Sequence, residues 1–157
     1  MDELEARKLA LDLMKTSPAV YLSTIDDQGF PQIRAMINLR NAKQYPSLVE
    51  LLSNHEKDFL IYISTNTSSN KARQIQQNPR VAVYYCLPEQ WRGLMLGGEA
   101  EALDDIELKR KIYQEGWEVY FPTGPGDPDF TLFRLKPVVA KYYQSLDVCE
   151  FGFEGEQ

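Results

Sequence analysis

Histidine and cysteine are almost missing from this 157-residue chain: His55 is the one histidine, and Cys86 and Cys149 are the two cysteines. That supply is too thin for a zinc centre. It leaves a Ser-His-Asp triad only His55, which sits in the polar stretch S-N-H-E-K and reads as a solvated helix end. The cysteines lie far apart and form no C-x-x-C, so the expectation is two free thiols in a reducing cytoplasm. No apolar run approaches the roughly 18 residues of a membrane span. The first ten residues, MDELEARKLA, are charged and amphipathic, unlike a secretory leader. No G-x-G-x-x-G follows a strand and no Walker A sequence is present, which removes the signatures of the dinucleotide and triphosphate folds.

Seventeen basic residues stand against 23 acidic ones, a net charge of −6 that argues against wrapping duplex nucleic acid. The distribution is uneven. Residues 28–98 hold eight Lys/Arg and four Asp/Glu, so the excess of acid lies outside the middle of the chain. A basic middle in an acidic protein suits a local site for a small anion. With 43% hydrophobic and 25% charged residues the composition is globular, and the length fits one domain over 1–157.

Hydrophobic periodicity predicts a helix over 3–16, with Ala6, Leu9, Ala10, Leu13 and Met14 on one stripe. A hairpin follows, with strands at 19–25 and 30–38 around Asp26-Asp27-Gln28-Gly29. Within its second strand Ile33, Ala35 and Ile37 alternate with Gln32, Arg34 and Met36. Pro46 opens a short helix to about His55. Residues 59–63 read as a buried strand, 69–77 as a helix, and 80–86 and 92–103 as strands, the last with a bulge at Gly97-Gly98. Asp104 is placed to cap a helix to about 119, with Glu107 completing a capping box. Residues 122–129 are loop, and 130–144 form a last long strand interrupted at Pro137. Six strands joined by turns or single helices give a mainly β, α+β chain: a six-stranded antiparallel Greek-key split β-barrel with peripheral helices.

The best candidate for chemistry is S-T-N-T-S-S-N-K, residues 64–71. A strand ends there, five hydroxyl residues (Ser64, Thr65, Thr67, Ser68, Ser69) crowd the loop, and a helix begins beside Asn70 and Lys71. Free first-turn amides, hydroxyl donors and a lysine charge match the needs of a phosphate monoester. Residues 59–88 contain no Asp or Glu, so nothing in that stretch repels an anion. Taken alone, Ser, Thr and Asn before a helix are ordinary N-caps. Arg34 adds to the pattern. In the middle of a strand it points either outward or into the barrel mouth, where it needs an anionic partner.

Three segments together resemble the flavin-binding split barrels related to pyridoxamine 5′-phosphate oxidase, in particular the small general-stress-protein branch. They are A-V-Y-L-S-T-I-D-D-Q-G-F-P-Q-I-R-A-M (19–36), I-S-T-N-T-S-S-N-K-A-R-Q-I-Q-Q-N-P-R-V-A-V-Y-Y (63–85) and L-G-G-E-A-E-A-L (96–103). The resemblance implies FMN as cofactor. Arg34 and Lys71 then reach its phosphate. Ala35, Met36 and Ile37 lie along the isoalloxazine ring, and Ser64 and Thr65 sit beside it. Ser69 and Asn70 complete the cradle, with Asn70 standing where the oxidases usually carry Arg. The resemblance also implies a homodimer with the flavin at the subunit interface and a partner Gln near it, whose matching position here is Gly93.

The expected function is FMN-dependent redox chemistry on a small molecule. The catalytic residue is unknown, and neither nucleic acid nor membrane is an expected partner. A non-catalytic flavin-binding or stress-related role, or a split barrel using deazaflavin or haem, is the alternative. Pyridoxamine 5′-phosphate is not the expected substrate. The C-terminal stretch has no R-x-H, and the tail D-V-C-E-F-G-F-E-G-E-Q has four acids and no base. An oxidase built on this chain would have to recruit Arg40, Arg73 or Arg92.

Overall fold

A computed structural model describes residues 1–154. Helix α1 spans Glu3–Thr16, and strands β1 (Ala19–Ile25) and β2 (Pro31–Ile37) form a hairpin. A 3-10 turn at Pro46–Leu48 leads into the short helix α2 (Val49–Ser53). Then come β3 (Ile61–Asn66), α3 (Asn70–Gln77), β4 (Arg80–Leu87), β5 (Arg92–Leu103), α4 (Ile106–Ile112), β6 (Phe130–Gln144) and β7 (Asp147–Gly152).

The strands form one antiparallel sheet in the order β2-β1-β4-β5-β6-β3, with β7 also on β6. This is the expected curled, split barrel, and the split has a definite place. The sheet begins at β2 and ends at β3, and these two strands approach each other without pairing. Helix α1 plugs one half of the concave side. Its Ala6, Ala10, Leu13 and Met14 are fully buried and pack with Val20, Leu22, Val83, Leu94 and Tyr142. The stripe follows from the 3.6-residue period, and the helix is started by Asp2, whose carboxylate accepts the Glu5 amide at 2.8 Å. A second apolar cluster fills the other half, from Leu48, Leu60, Tyr62, Trp117, Phe121, Phe130 and Leu132.

Four elements depart from the sequence reading. The barrel gains a seventh strand, β7, inside the stretch read as an acidic tail. It turns back from β6 through Ser145, a non-glycine residue at φ +54, so the turn carries none of the Gly or Asn signals of a tight hairpin. Its acids are engaged: Asp147 pairs with the Met1 ammonium at 3.1 Å and Glu150 with Lys141 at 3.0 Å. The end of that stretch, 155–157 with Glu156, lies outside the described residues. Strand β3 starts two residues late because Phe59 takes φ +56, which breaks the extended run. The expected 104–119 helix is capped by Asp105 rather than Asp104 and stops at Ile112. Beyond it the chain forms an arch of two short 3-10 turns, Trp117–Val119 and Gly124–Gly126. Gly116 and Gly124, at φ +93 and +86, mark the corners of this arch, conformations that a side chain rarely tolerates.

The interruption at Pro137 is a register shift. Gly97 pairs with Val139 and Gly98 with Pro137, leaving Val138 as the extra residue. Proline has no N–H to give the ladder, so the bulge falls where the bond would be missing. No helix among the described residues is long and apolar enough to cross a membrane.

Candidate functional site

The split between β2 and β3 holds a cleft of about 380 Å³. Arg34, Ala35, Met36 and Ile37 line it from β2, Ser64, Thr65 and Asn66 from β3, Lys71 from α3, and Trp117, Tyr120 and Phe121 from the arch. Because β2 pairs only with β1, the backbone along its other edge has no ladder partner and can bond a ligand. Seven of the nine sequence-predicted residues thus meet in one place. Ser69 and Asn70 do not line the cleft. Ser69 serves as the N-cap of α3, its hydroxyl accepting the Ala72 amide at 3.3 Å.

Arg34 points inward, which settles the choice left open by its strand position. Its Nη1 donates to Thr24 Oγ1 at 2.6 Å and its Nη2 to Gln74 Oε1 at 3.3 Å, while Thr24 Oγ1 donates to the same Gln74 oxygen at 2.6 Å. A strand hydroxyl and a buried helix amide therefore aim the guanidinium. All of these partners are neutral. Among the described residues no carboxylate lies within ion-pairing distance of Arg34 or Lys71. Desolvation lowers the basicity of both groups, and Arg34 lowers that of Lys71 further. Two half-buried cations side by side, one of them lowering the basicity of the other, suit an anion. The first turn of α3, where the helix supplies no acceptor for the Asn70 and Lys71 amides, adds donors and a positive dipole end. This fits a phosphate monoester: the charges are present, and among the described residues no carboxylate pairs with them or lines the cleft.

The hydroxyl-rich loop is less available than its composition suggests. Asp129 folds back onto it, accepting from Asn66 Nδ2 at 2.7 Å and from the Ser68 amide at 2.9 Å. Thr67 Oγ1 donates to the Pro128 carbonyl at 3.2 Å. The acid-free run 59–88 thus acquires a carboxylate from a distant segment, and only Ser64 and Thr65 of the five hydroxyl residues face the cleft. Asn66 and the three arch aromatics were missed in the sequence, as were Thr24 and Gln74. Gln74 carried a usable signal, since it lies three residues after Lys71 on the same helix face.

The other arginines are committed elsewhere. Arg40 is buried and donates to the His55 and Leu60 carbonyls at 2.9 and 2.6 Å. Arg92 bonds Tyr142, the Leu9 carbonyl and Asp12. Arg73 is exposed on α3 and does not line the cleft. His55 lies at the surface against Asp58 at 3.0 Å. Among the described residues of the tail, Asp147, Glu150 and Glu154 do not line the cleft. Gly93 is covered by the rings of Tyr84 and Tyr143, whose hydroxyls bond each other, so a side chain there would displace them.

A second hollow, of about 780 Å³, runs over the outside of the sheet beside Val81, Gly97, Gly98, Val138 and Val139. It is larger, and its apolar floor is flanked by the charged residues Arg80, Glu99, Glu101 and Lys136. Volume does not decide which cleft is the functional one.

A curled six-strand path with a cleft at its open split defines a split-barrel fold. The sequence profile described as pyridoxamine 5′-phosphate oxidase matches residues 7–144, and the chain belongs to that family. It is 32% identical over 95 residues to the pyridoxine/pyridoxamine 5′-phosphate oxidase of Salmonella paratyphi B, a stretch covering 60% of this chain but only 37% of that enzyme. A crystal structure from Clostridium acetobutylicum, of a protein related to general stress protein 26, is similar with TM-score 0.73 and 27% identity over 97% of this chain and 96% of the other. A haem-binding protein from Mycobacterium smegmatis shares the fold at TM-score 0.68 and 13% identity, over 94% of this chain and 57% of its own.

Proposed function

We propose that the cleft binds FMN and that the chain is a dimeric, flavin-dependent oxidoreductase of the cytoplasm acting on a small molecule other than pyridoxamine 5′-phosphate. The observation that carries this reading is the pair Arg34, on β2, and Lys71, in the first turn of α3, both half-buried and without a carboxylate partner among the described residues. The phosphate occupies that end, and the isoalloxazine ring lies against the free edge of β2 at Ala35–Ile37. Ser64 and Thr65 flank it. When bound, the flavin supplies the redox chemistry; the chain binds, orients and shields it from water. Both cleft cations are then taken by the cofactor phosphate. The lining leaves none for a phosphorylated substrate, which is why pyridoxamine 5′-phosphate is set aside.

The homodimer rests on the sheet's outer face. Register places Ile33, Ser23, Ala82, Gly97 and Val139 in one row across β2, β1, β4, β5 and β6. Ile33 is 70% exposed and Val138 is 66% exposed at the bulge. Small residues between larger apolar ones make the hollow beside Gly97, and a second copy is the occupant that covers it. Sedimentation at micromolar concentration checks this, with a dimer as the expected species.

A flavin carrier without turnover is the second reading. It is favoured by a cleft lining that, among the described residues, holds no carboxylate, histidine or cysteine. Haem has less support, because His55 lies outside the cleft. The absorption spectrum of the purified protein and mass analysis of the released ligand test the cofactor. Turnover with a reduced nicotinamide and a panel of acceptors separates enzyme from carrier.

A further inference from the structure

The arch between Gly116 and Gly124 belongs to none of the segments that carry the family resemblance, yet it supplies a whole wall of the cleft. Trp117 and Phe121 are its anchors, 6% and 4% exposed in the second core. Their rings lie 6.2 and 4.8 Å from that of Phe130. Tyr113 Oη donates to the Phe121 carbonyl at 3.1 Å, and the Asp127 carboxylate accepts both the amide and the hydroxyl of Thr123, at 3.0 and 2.9 Å. The backbone of residue 120 is therefore held from both sides. Its side chain is not buried with its neighbours: Tyr120 is 58% exposed and lines the cleft. Its ring meets that of Phe121 only at 6.3 Å and tilted. No hydrogen bond to the Tyr120 hydroxyl is found among the described residues. A rigid mount carrying an uncommitted aromatic face, at the end of the cleft lined by aromatics rather than by Arg34 and Lys71, is built to meet a flat ring.

We propose that Tyr120 covers the aromatic ring of the ligand whose phosphate is held by Arg34 and Lys71, so that the cleft selects a planar ring tied to a phosphate by a flexible chain. This inference rests on the FMN reading and adds to it a contact residue outside the motif. Tyr120 then acts on the ring alone, and its contribution is independent of the phosphate.

The test compares the full chain, stripped of flavin, with Tyr120→Ala, Tyr120→Phe and Lys71→Ala, titrated with FMN and with riboflavin. Binding and bound-flavin emission are followed. Tyr120→Ala is expected to weaken both ligands alike, by about three- to ten-fold, as loss of one aromatic contact implies. Tyr120→Phe keeps the stacking face but not the electron-rich phenol. It is expected to hold affinity while the emission of bound flavin rises, a change that a merely structural tyrosine would not produce. Lys71→Ala weakens FMN and leaves riboflavin unchanged. Parent-like binding and emission in both Tyr120 variants, with Lys71 dependence intact, overturns this inference alone. Absence of FMN binding to the parent chain overturns it together with the FMN reading.

Discussion

The two ends of the cleft are built in different ways. The cationic end is local: Lys71 and the Gln74 that helps aim Arg34 come from one short helix, and Arg34 reaches it from a neighbouring hairpin. The aromatic end is assembled at long range. Trp117, Tyr120 and Phe121 are placed by packing on Phe130 and by glycine corners, not by any repeating pattern. One end is held by polar aim and charge, the other by apolar burial. They should therefore fail separately, and the following experiments exploit that.

The largest effect is expected at the base of the arch. Trp117→Ala removes a buried ring from the second core and should cost about 3–5 kcal/mol of stability, read by denaturant unfolding. If the ends are independent, the variant that remains folded keeps a Lys71-dependent preference for FMN over riboflavin. Next come the cations. Each charge-assisted bond to phosphate contributes about 1.5–3 kcal/mol, so Arg34→Ala and Lys71→Ala should each weaken FMN at least ten-fold without lowering stability. Gln74→Ala is smaller, about 1 kcal/mol, because Arg34 keeps its charge and loses only part of its aim. Calorimetric titration with FMN checks all three.

A pH profile sharpens the same contrast. The charged form of Lys71 binds the anion, and burial and Arg34 hold its basicity below the ordinary lysine value of 10.5. FMN affinity should thus decline on the alkaline side before pH 10.5 is reached. It should also decline below about pH 6, where the phosphate takes up a proton. Riboflavin binding should show neither slope, and Lys71→Arg should lose the alkaline one.

The same contrast explains what could be read in the sequence. Helix α1 and strands β1, β5 and β6 follow from periodicity and β-branched runs, because each buries one regular face. Arg34 and Lys71 stand out because a charge inside a strand and a hydroxyl run before a helix are local oddities. Strand β7 was hidden by a turn through Ser145 that lacks Gly or Asn. The first part of the arch reads as helix because Asp104 and Glu107 have capping-box spacing, which marks a helix start but says nothing of the Gly116 corner beyond Ile112. Asp129 reaches the loop only through the pairing of β3 with the distant β6, which no short window contains, whereas Thr24 meets Arg34 across the β1–β2 hairpin.

The central claim is that this cleft holds FMN by its phosphate. The most direct measurement is a side-by-side titration of the flavin-free protein with FMN and riboflavin at neutral pH. The account predicts FMN binding at least ten-fold tighter, with the difference abolished when Arg34 and Lys71 are both replaced by Ala. Equal affinity for the two ligands in the parent protein would contradict it.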